Sequence, residues 1–399
     1  MKKGVTFMEE EARRYGVMAA LLEGKMTNGE GAAVLGVSVR QIKRIKGKVK
    51  REGPSGIKHG NCGRPSSRAF PAELRERAMA LAREKYFDFN FSHLSEMLEE
   101  QEGIRISRET LRQWLRPEGF GRKIRKQRRH RKRRKRSEKE GHMLFLDGSP
   151  HLWFGDEKTT LLLSADDSTG KPLYGLFRKE EDLEGCFKVC REVFARFGRP
   201  SVFYLDRASQ FKTTRHKSDP VQPTQFQRAM SELGIRLIFA YSAQARGRGE
   251  RINRTFQDRL VAELRLKNIA DCEEATRYLN ETFIPKYARL FGVAPEDPQP
   301  AWRPLPKDAD MRNILCKRYE AKVNYDNTIS VDGQAIQLLP TKTRLSFAKA
   351  SVAVNRWLDG SWHVFHHAAG EIPCRPIEGR VRPGSYMRPR PASEARASL

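Results

Sequence analysis

Apolar positions in residues 12 to 50 recur at helical spacing, giving "EARRYGVMAALLEGKM", a turn, "NGEGAAVLG" and "VSVRQIKRIKGKVKREG". Ala33, Val34, Val37, Ile42 and Ile45, with Gly36 between the last two segments and Ser38 as a cap, fit a helix-turn-helix. The Gly-, Pro- and Ser-rich stretch "EGPSGIKHGNCGRPSSR" reads as a linker. It leads to "PAELRERAMALAREKYFDFNFSHLSEMLEEQEGIRISRETLRQWLRPEG", a second helix-turn-helix in which Ser107 caps the last helix. From residue 142 the pattern changes to strands: "HMLFLDGSPHLWF", "TTLLLSADDSTGKPLYGLF", "PSVFYLDRASQF" and "IRLIFAYS", interleaved with helices ending in "GERINRTFQDRLVAELRL". Three strands followed by alternating helices and strands predict a mixed α/β layer. Beyond residue 300, "KVNYDNTISVDGQAIQLL" and "ASVAVNRWLDGSWHVFH" alternate apolar and polar residues around "DG" turns, the pattern of a small β-barrel.

These segments predict a multidomain protein. Helix-turn-helix modules span residues 1–52 and 71–118, with a linker at 53–70 and a basic linker at 119–140. A central α/β unit spans 141–300, a C-terminal small β-barrel 301–375 and a disordered tail 376–399.

Charge narrows the partners. With Lys+Arg 76 against Asp+Glu 49 the formal net charge is +27, which attracts a polyanion, DNA or RNA first. No run of 18 or more apolar residues exists, and the N-terminus lacks the apolar core of a signal peptide, so a cytoplasmic, nucleoid-associated protein with no membrane partner is expected. The third helix carries Arg40, Gln41, Lys43 and Arg44 opposite Ile42 and Ile45, able to offer Arg and Gln to base edges and Lys to phosphates. A basic helix turned to solvent in an ordinary bundle is the plainer reading of the same composition. In the second module, Arg108 and Arg112 occupy one side of the capped helix. Residues 122–136, "RKIRKQRRHRKRRKR", hold twelve Lys or Arg in fifteen positions, a block expected to stay disordered until it meets phosphate; a nuclear import signal is the competing reading. The six cysteines form no CxxC pair and are read as small buried hydrophobes.

Three carboxylates stand out by position. Asp147 ends the apolar run "MLFLD", Asp206 ends "VFYLD", and Glu250 falls in the first turn of the helix after "IRLIFAYS". Functional groups of an open α/β sheet gather where strands end, so these three could converge on one cation. Phosphodiester attack uses such acids: two divalent ions roughly 3.5 to 4 Å apart clamp the attacking and leaving oxygens, and Mg²⁺ takes hard oxygen ligands. Mg²⁺ or Mn²⁺, as two ions, is therefore the expected cofactor. Arg246, Arg248, Arg251 and Arg254 would hold phosphates around Glu250, and Asn253, Arg254 and Gln257 share its helix face. Glu250 also fits a purely structural role, complementing the helix dipole at about 0.3 to 1 kcal/mol. Asp166 and Asp167 are expected to cap a hairpin turn, and Asp258 and Glu263 to lie on solvated or packing faces.

The motifs "FLDGSPHLWFG", "LLLSADDSTGKPLYGLF", "YLDRASQF" and "TQFQRAMSELGIRLIFAYSAQARGRGERINRTFQDRLVAELRL" together resemble those of bacterial insertion-sequence transposases of the ISNCY type, in the retroviral-integrase-like DDE group. The resemblance is specific over residues 142 to 266 and generic elsewhere. It implies an RNase H-like core with Asp147, Asp206 and Glu250 as the catalytic and metal-binding triad, 43 residues separating the last two. It also implies binding of an element's terminal inverted repeats, metal-dependent strand cleavage and strand transfer into target DNA, and a homo-multimer assembled on double-stranded DNA. Relatives usually carry proline at the position of Ala243 and a bulkier residue at Gly249, so a loosened start of this helix is expected. A catalytically inactive DNA-binding repressor or architectural protein, and a stand-alone nuclease of the RNase H type, are the competing readings.

Overall fold

A computed structural model describes residues 9–58, 69–121, 134–206, 211, 223–240, 247–342 and 344–377. Most of the basic run, residues 122–133, the tail beyond 377, and Ala243 and Arg246 lie outside the described residues. The chain divides into two compact units, Met1–Arg77 and Ala78–Leu399.

The first unit holds α1 (Glu9–Leu22), α2 (Asn28–Leu35) and α3 (Val39–Glu52), closed by a 3₁₀ turn at Gly53–Ile57. Local chemistry fixes each boundary. Thr27 and Glu30 form a reciprocal capping box, Gly36 ends α2 at φ 64, and the Ser38 hydroxyl accepts from Gln41 N at the start of α3. The core comprises Val17, Met18, Leu21, Ala32, Ile42, Val49 and Ile57, with Leu35, Val37 and Ile45 half-buried against it. Here the expected inward face is corrected: Ala33 and Val34 are exposed, and α2 buries Gly31 and Ala32. Close approach to α1 selects the smallest residues. A Cβ on Gly31 would lie 2.9 Å from Leu21 Cδ1.

The division between the units falls within α4 (Ala72–Glu84), and the second unit continues with α5 (Phe91–Glu102) and α6 (Arg108–Leu115). A layered α/β body follows: β1 (Met143–His151), β2 (Thr159–Asp166), β3 (Pro172–Arg178), α7 (Leu183–Phe197), β4 (Val202–Leu205), α8 (Gln225–Glu232), β5 (Arg236–Phe239) and α9 (Gly247–Leu266). The layer is completed by α10 (Cys272–Tyr278), a π-helical stretch at Leu279–Phe283, and α11 (Ile284–Phe291). Its sheet has the order β3-β2-β1-β4-β5, antiparallel from β3 to β1 and parallel from β1 to β5. Side-chain alternation sends Leu144, Leu146, Leu162, Phe203 and Leu205 to α7 and α8, and Leu161, Leu163 and Phe177 to α9, α10 and α11. Covered on both faces, β2 is buried at nearly every position. At β3, Asn280 from the π-helical stretch takes both backbone groups of Gly175: the Gly175 N–H donates to Oδ1 at 3.0 Å, and Nδ2 donates to the Gly175 carbonyl at 2.8 Å. Thr276 Oγ1 accepts from Phe177 N at 3.0 Å.

The last part contains α12 (Met311–Ile314), β6 (Lys317–Lys322), β7 (Thr328–Val331), β8 (Gln334–Leu338), β9 (Ser351–Arg356), β10 (Trp362–His366), β11 (Gly370–Ile372) and β12 (Cys374–Ile377). The expected small β-barrel over 301–375 is corrected: among the described residues there is no closed barrel. A four-stranded sheet, β11-β10-β9-β6, and a three-stranded sheet, β12-β8-β7, enclose one core around Ile329, Ile336, Phe347, Val354 and Val364. The "DG" turns form hairpins, with Asp332 at φ 50 and Gly333 at φ 77. However, β6 pairs with β9 instead of its sequence neighbour β7, so the ladder does not run around continuously.

Charged pairs fasten α5 to α9 and α11. Arg259 holds Glu96 through two bonds of 2.6 and 3.1 Å, Asn90 donates to Asp258 at 2.6 Å, and Lys286 meets Glu100 at 2.7 Å. Glu263 is buried beside them, with His93 Nε2 at 2.8 Å and the Tyr278 hydroxyl at 2.5 Å. Burial alone would raise the Glu263 carboxyl, but the hydrogen bonds from His93 and Tyr278 and the charge of Lys286 outweigh it, leaving the group below its usual value of 4.5. A depressed carboxylate adds stability that is present above its unfolded value and lost as pH falls through its folded one. Glu263→Ala should cost about 3 kcal/mol or more in chemical denaturation at neutral pH, since it strips a buried partner from a charge cluster. The stability gap between wild type and Glu263→Gln should shrink as pH drops below 4.5; a gap independent of pH would show that Glu263 is not held as a carboxylate.

Candidate active site

The parallel pairing of β1 with β4 runs from Met143↔Val202 to Phe145↔Tyr204 and stops. Asp147 and Asp206 each lie two residues beyond that last pair, Asp206 as the first residue after β4. Neighbouring strands are about 4.8 Å apart, so the two residues follow adjacent strands at equal distances past the point where the pairing ends. Asp147 does not end its strand, as the run "MLFLD" suggests. Instead β1 continues to His151, paired with β2 from Leu144↔Asp166 to His151↔Thr159. Past Phe145 it has β2 alone as a neighbour, the edge situation in which a strand tolerates Pro150.

Phe145 and Tyr204 meet edge to face at 5.8 Å, and the Arg134 guanidinium lies over both rings, 5.8 and 5.1 Å from their centres. By alternation Asp147 faces the same side as Phe145. There it meets α9: Asn253 Nδ2 donates to Asp147 Oδ2 at 3.1 Å, and one turn on Gln257 Nε2 donates to Ser149 Oγ at 3.0 Å. Glu250 stands three residues before Asn253 and shares its helix face; it is half-buried. This face of α9 therefore runs along β1 with Glu250 at its leading end. Among the described residues, no three His, Cys, Asp or Glu side chains are gathered closely enough to hold a metal ion.

The remaining expected contacts divide into exposed and engaged groups. Arg40, Gln41, Lys43 and Arg44 on α3 are exposed, as are Arg108 on α6 and Arg251 and Arg254 on α9. Arg112 is forked onto Glu109 of its own helix at 2.8 and 2.5 Å. Arg248 points inward, bonded to the Asp167 carboxylate and to the Arg134 carbonyl. Asp166 and Asp167 do cap the turn after β2, but they are fully buried. Asp166 accepts from Gly141 N, Thr169 N and the Thr169 hydroxyl, and burial still pushes its carboxyl up. Asp167 ties three segments together, a role absent from the sequence reading. Its only trace there is a pair of adjacent acids in a turn. Another unforeseen carboxylate is Glu181, which fills the space beside Gly148 where a Cβ would lie 2.1 Å from its Oε2.

No protein-family model matches the chain. It is 34% identical over 360 residues to the transposase y4bF of Sinorhizobium fredii, covering 89% of this chain and 79% of that protein. It is 31% identical over 342 residues to the transposase for insertion sequence IS1202 of Streptococcus pneumoniae, covering 74% and 72%. Likeness to solved structures is slight. A chain of the simian T-cell lymphotropic virus intasome aligns at TM-score 0.33 and 15% identity over 77% of this chain and 99% of that one, and the HTLV-2 integrase catalytic core domain with magnesium at 0.27 and 17% over 36% and 89%.

Two glycines, Gly247 and Gly249, stand in the first turn of α9 without requiring a left-handed backbone. A Cβ on Gly249 would meet only Asp147 Oδ2, at 3.8 Å, an ordinary contact. Gly249→Ala should therefore raise stability by about 0.5 to 1 kcal/mol through reduced freedom of the unfolded chain. A lowered melting temperature would reveal a crowding or strain that the geometry lacks.

Proposed function

The chain belongs to the bacterial insertion-sequence transposases, and on that premise we propose that it binds the terminal inverted repeats of its element and carries out divalent-metal-dependent strand cleavage and strand transfer. The observation that carries this reading is the placement of Asp147 and Asp206 at equal offsets past the last β1–β4 pair, with the Glu250 face of α9 laid along β1. The sheet order β3-β2-β1-β4-β5 supports the further reading of residues 141–300 as an RNase H-like core.

Asp147, Asp206 and Glu250 are the groups that would hold Mg²⁺ or Mn²⁺, since three carboxylates suit a hard cation that retains waters and substrate phosphate oxygens. When bound, the ions would activate the attacking oxygen and stabilise the leaving one. The chain's own residues supply orientation. Asn253 holds Oδ2 of Asp147 and so fixes the orientation of that carboxylate. Arg251 and Arg254, exposed on α9, are placed to meet the phosphate backbone near Glu250. In the first unit, α2, Gly36 and α3 form the module proposed to read the element's ends, with Arg40 and Gln41 at base edges and Lys43 and Arg44 on phosphates. Because two ends must be joined, the working form is a multimer on double-stranded DNA.

Asp147→Asn, Asp206→Asn and Glu250→Gln should each abolish Mg²⁺- or Mn²⁺-dependent cleavage of a labelled duplex carrying the element's end, while end binding persists. Wild-type cleavage by one variant would remove that residue from the site; specific binding without cleavage by the unmutated protein would favour a binding-only protein. Lys43→Ala and Arg44→Ala should weaken binding to all sequences alike and reduce the salt slope by about 1 each. Arg40→Ala should cost about 1 to 3 kcal/mol and relax preference at one base pair in a competition assay; uniform loss across sequences would reassign it to phosphate.

A further inference from the structure

We propose that Asp167 is a positioning residue that grips Arg248 against the end of the basic run at Arg134, and thereby holds the first turn of α9, with Glu250, beside Asp147. This rests on the reading of Glu250 as a catalytic residue. Asp167 is fully buried, at 0% exposure. Its Oδ1 accepts from Arg134 Nη2 at 2.5 Å and from Arg248 Nη1, while Oδ2 accepts from Ser137 N at 2.8 Å. Its own N–H donates to the Met143 carbonyl at 3.0 Å, fixing the turn to the start of β1. Arg248 closes the loop by donating through Nη2 to the Arg134 carbonyl.

The network joins three places distant in sequence: the last residues of the basic run, the turn after β2, and the helix that carries Glu250. Arg134 also lies over Phe145 and Tyr204, the last paired residues before Asp147 and Asp206. The grip is thus anchored to the same two strands that present the aspartates. One carboxylate between two guanidinium groups offsets their repulsion inside the network. An amide in its place has one acceptor and one donor group, and cannot accept from both arginines and Ser137 N together. Arg248 is two residues before Glu250, so its release would loosen the turn that carries the acid.

The test uses the full-length protein and the variants Arg248→Ala, Arg248→Lys, Asp167→Asn and the double variant. Turnover is measured on saturating end DNA with Mn²⁺, Kd by gel shift across salt, and amide exchange of residues 251–254, whose acceptors are first-turn carbonyls, without metal or DNA. Arg248→Ala and Asp167→Asn should each cut turnover about thirtyfold or more, as a small misplacement does, with Kd changed less than about threefold and exchange at least about tenfold faster. The double variant should be no worse than the worse single one, and Arg248→Lys should restore part of the loss. If instead Arg248→Ala weakens DNA binding and lowers the salt slope by about 1, with turnover at saturation and exchange unchanged, Arg248 is a phosphate contact and the proposal falls. Should Asp167→Asn fail to fold, the two Arg248 variants decide. If the unmutated protein cleaves nothing, the transposase reading fails, while the exchange measurement still tells whether Asp167 and Arg248 hold α9.

Discussion

Where two parallel strands stop sharing hydrogen bonds, their backbones diverge and the next side chains of each have room for something other than a packed neighbour. In this protein that point is Phe145↔Tyr204. Below it the sheet is an apolar body covered on both faces; above it stand Asp147 and Asp206, with α9 laid alongside. The aromatic pair and the Arg134 guanidinium over it mark the boundary. The acids therefore follow directly on a packed aromatic pair, and β2 stays paired with the strand carrying Asp147 from Leu144 to His151.

A basic chain meets a second constraint, that its charges must not all face the same way. The body of the second unit resolves this by pairing many of its cations internally. Arg259, Arg265 and Lys286 are taken by Glu96, Asp88 and Glu100, which fastens the helices before the basic run to the helices after the sheet. Arg134 and Arg248 are taken by Asp167. The cations left exposed on α3 and on α9 face solvent, where a polyanion can reach them.

What the sequence made legible follows from period and local chemistry. Strand runs such as "MLFLD" and "VFYLD" and the caps at Ser38 and Ser107 are recorded in neighbouring residues, and the structure has those elements. Three things were hidden because they depend on partners far along the chain. Alternation in "KVNYDNTISVDGQAIQLL" identifies strands but not which strand β6 pairs with, hence two sheets in place of a barrel. The run "AAVLG" does not say which residues α1 approaches, hence Ala32 inward and Val34 outward. Arg248 read as a phosphate ligand because its partner, Asp167, is 81 residues away. The positions of Asp147, Asp206 and Glu250 were legible, whereas their convergence on a cation is a matter for the cleavage variants.

The side-chain amide of Asn280 and the hydroxyl of Thr276 have an effect beyond their own helix. By occupying the N–H and carbonyl of Gly175 and the N–H of Phe177, they obstruct the rim of β3 against a strand from another molecule. Aggregation by strand addition is thereby hindered at one edge of the five-stranded sheet.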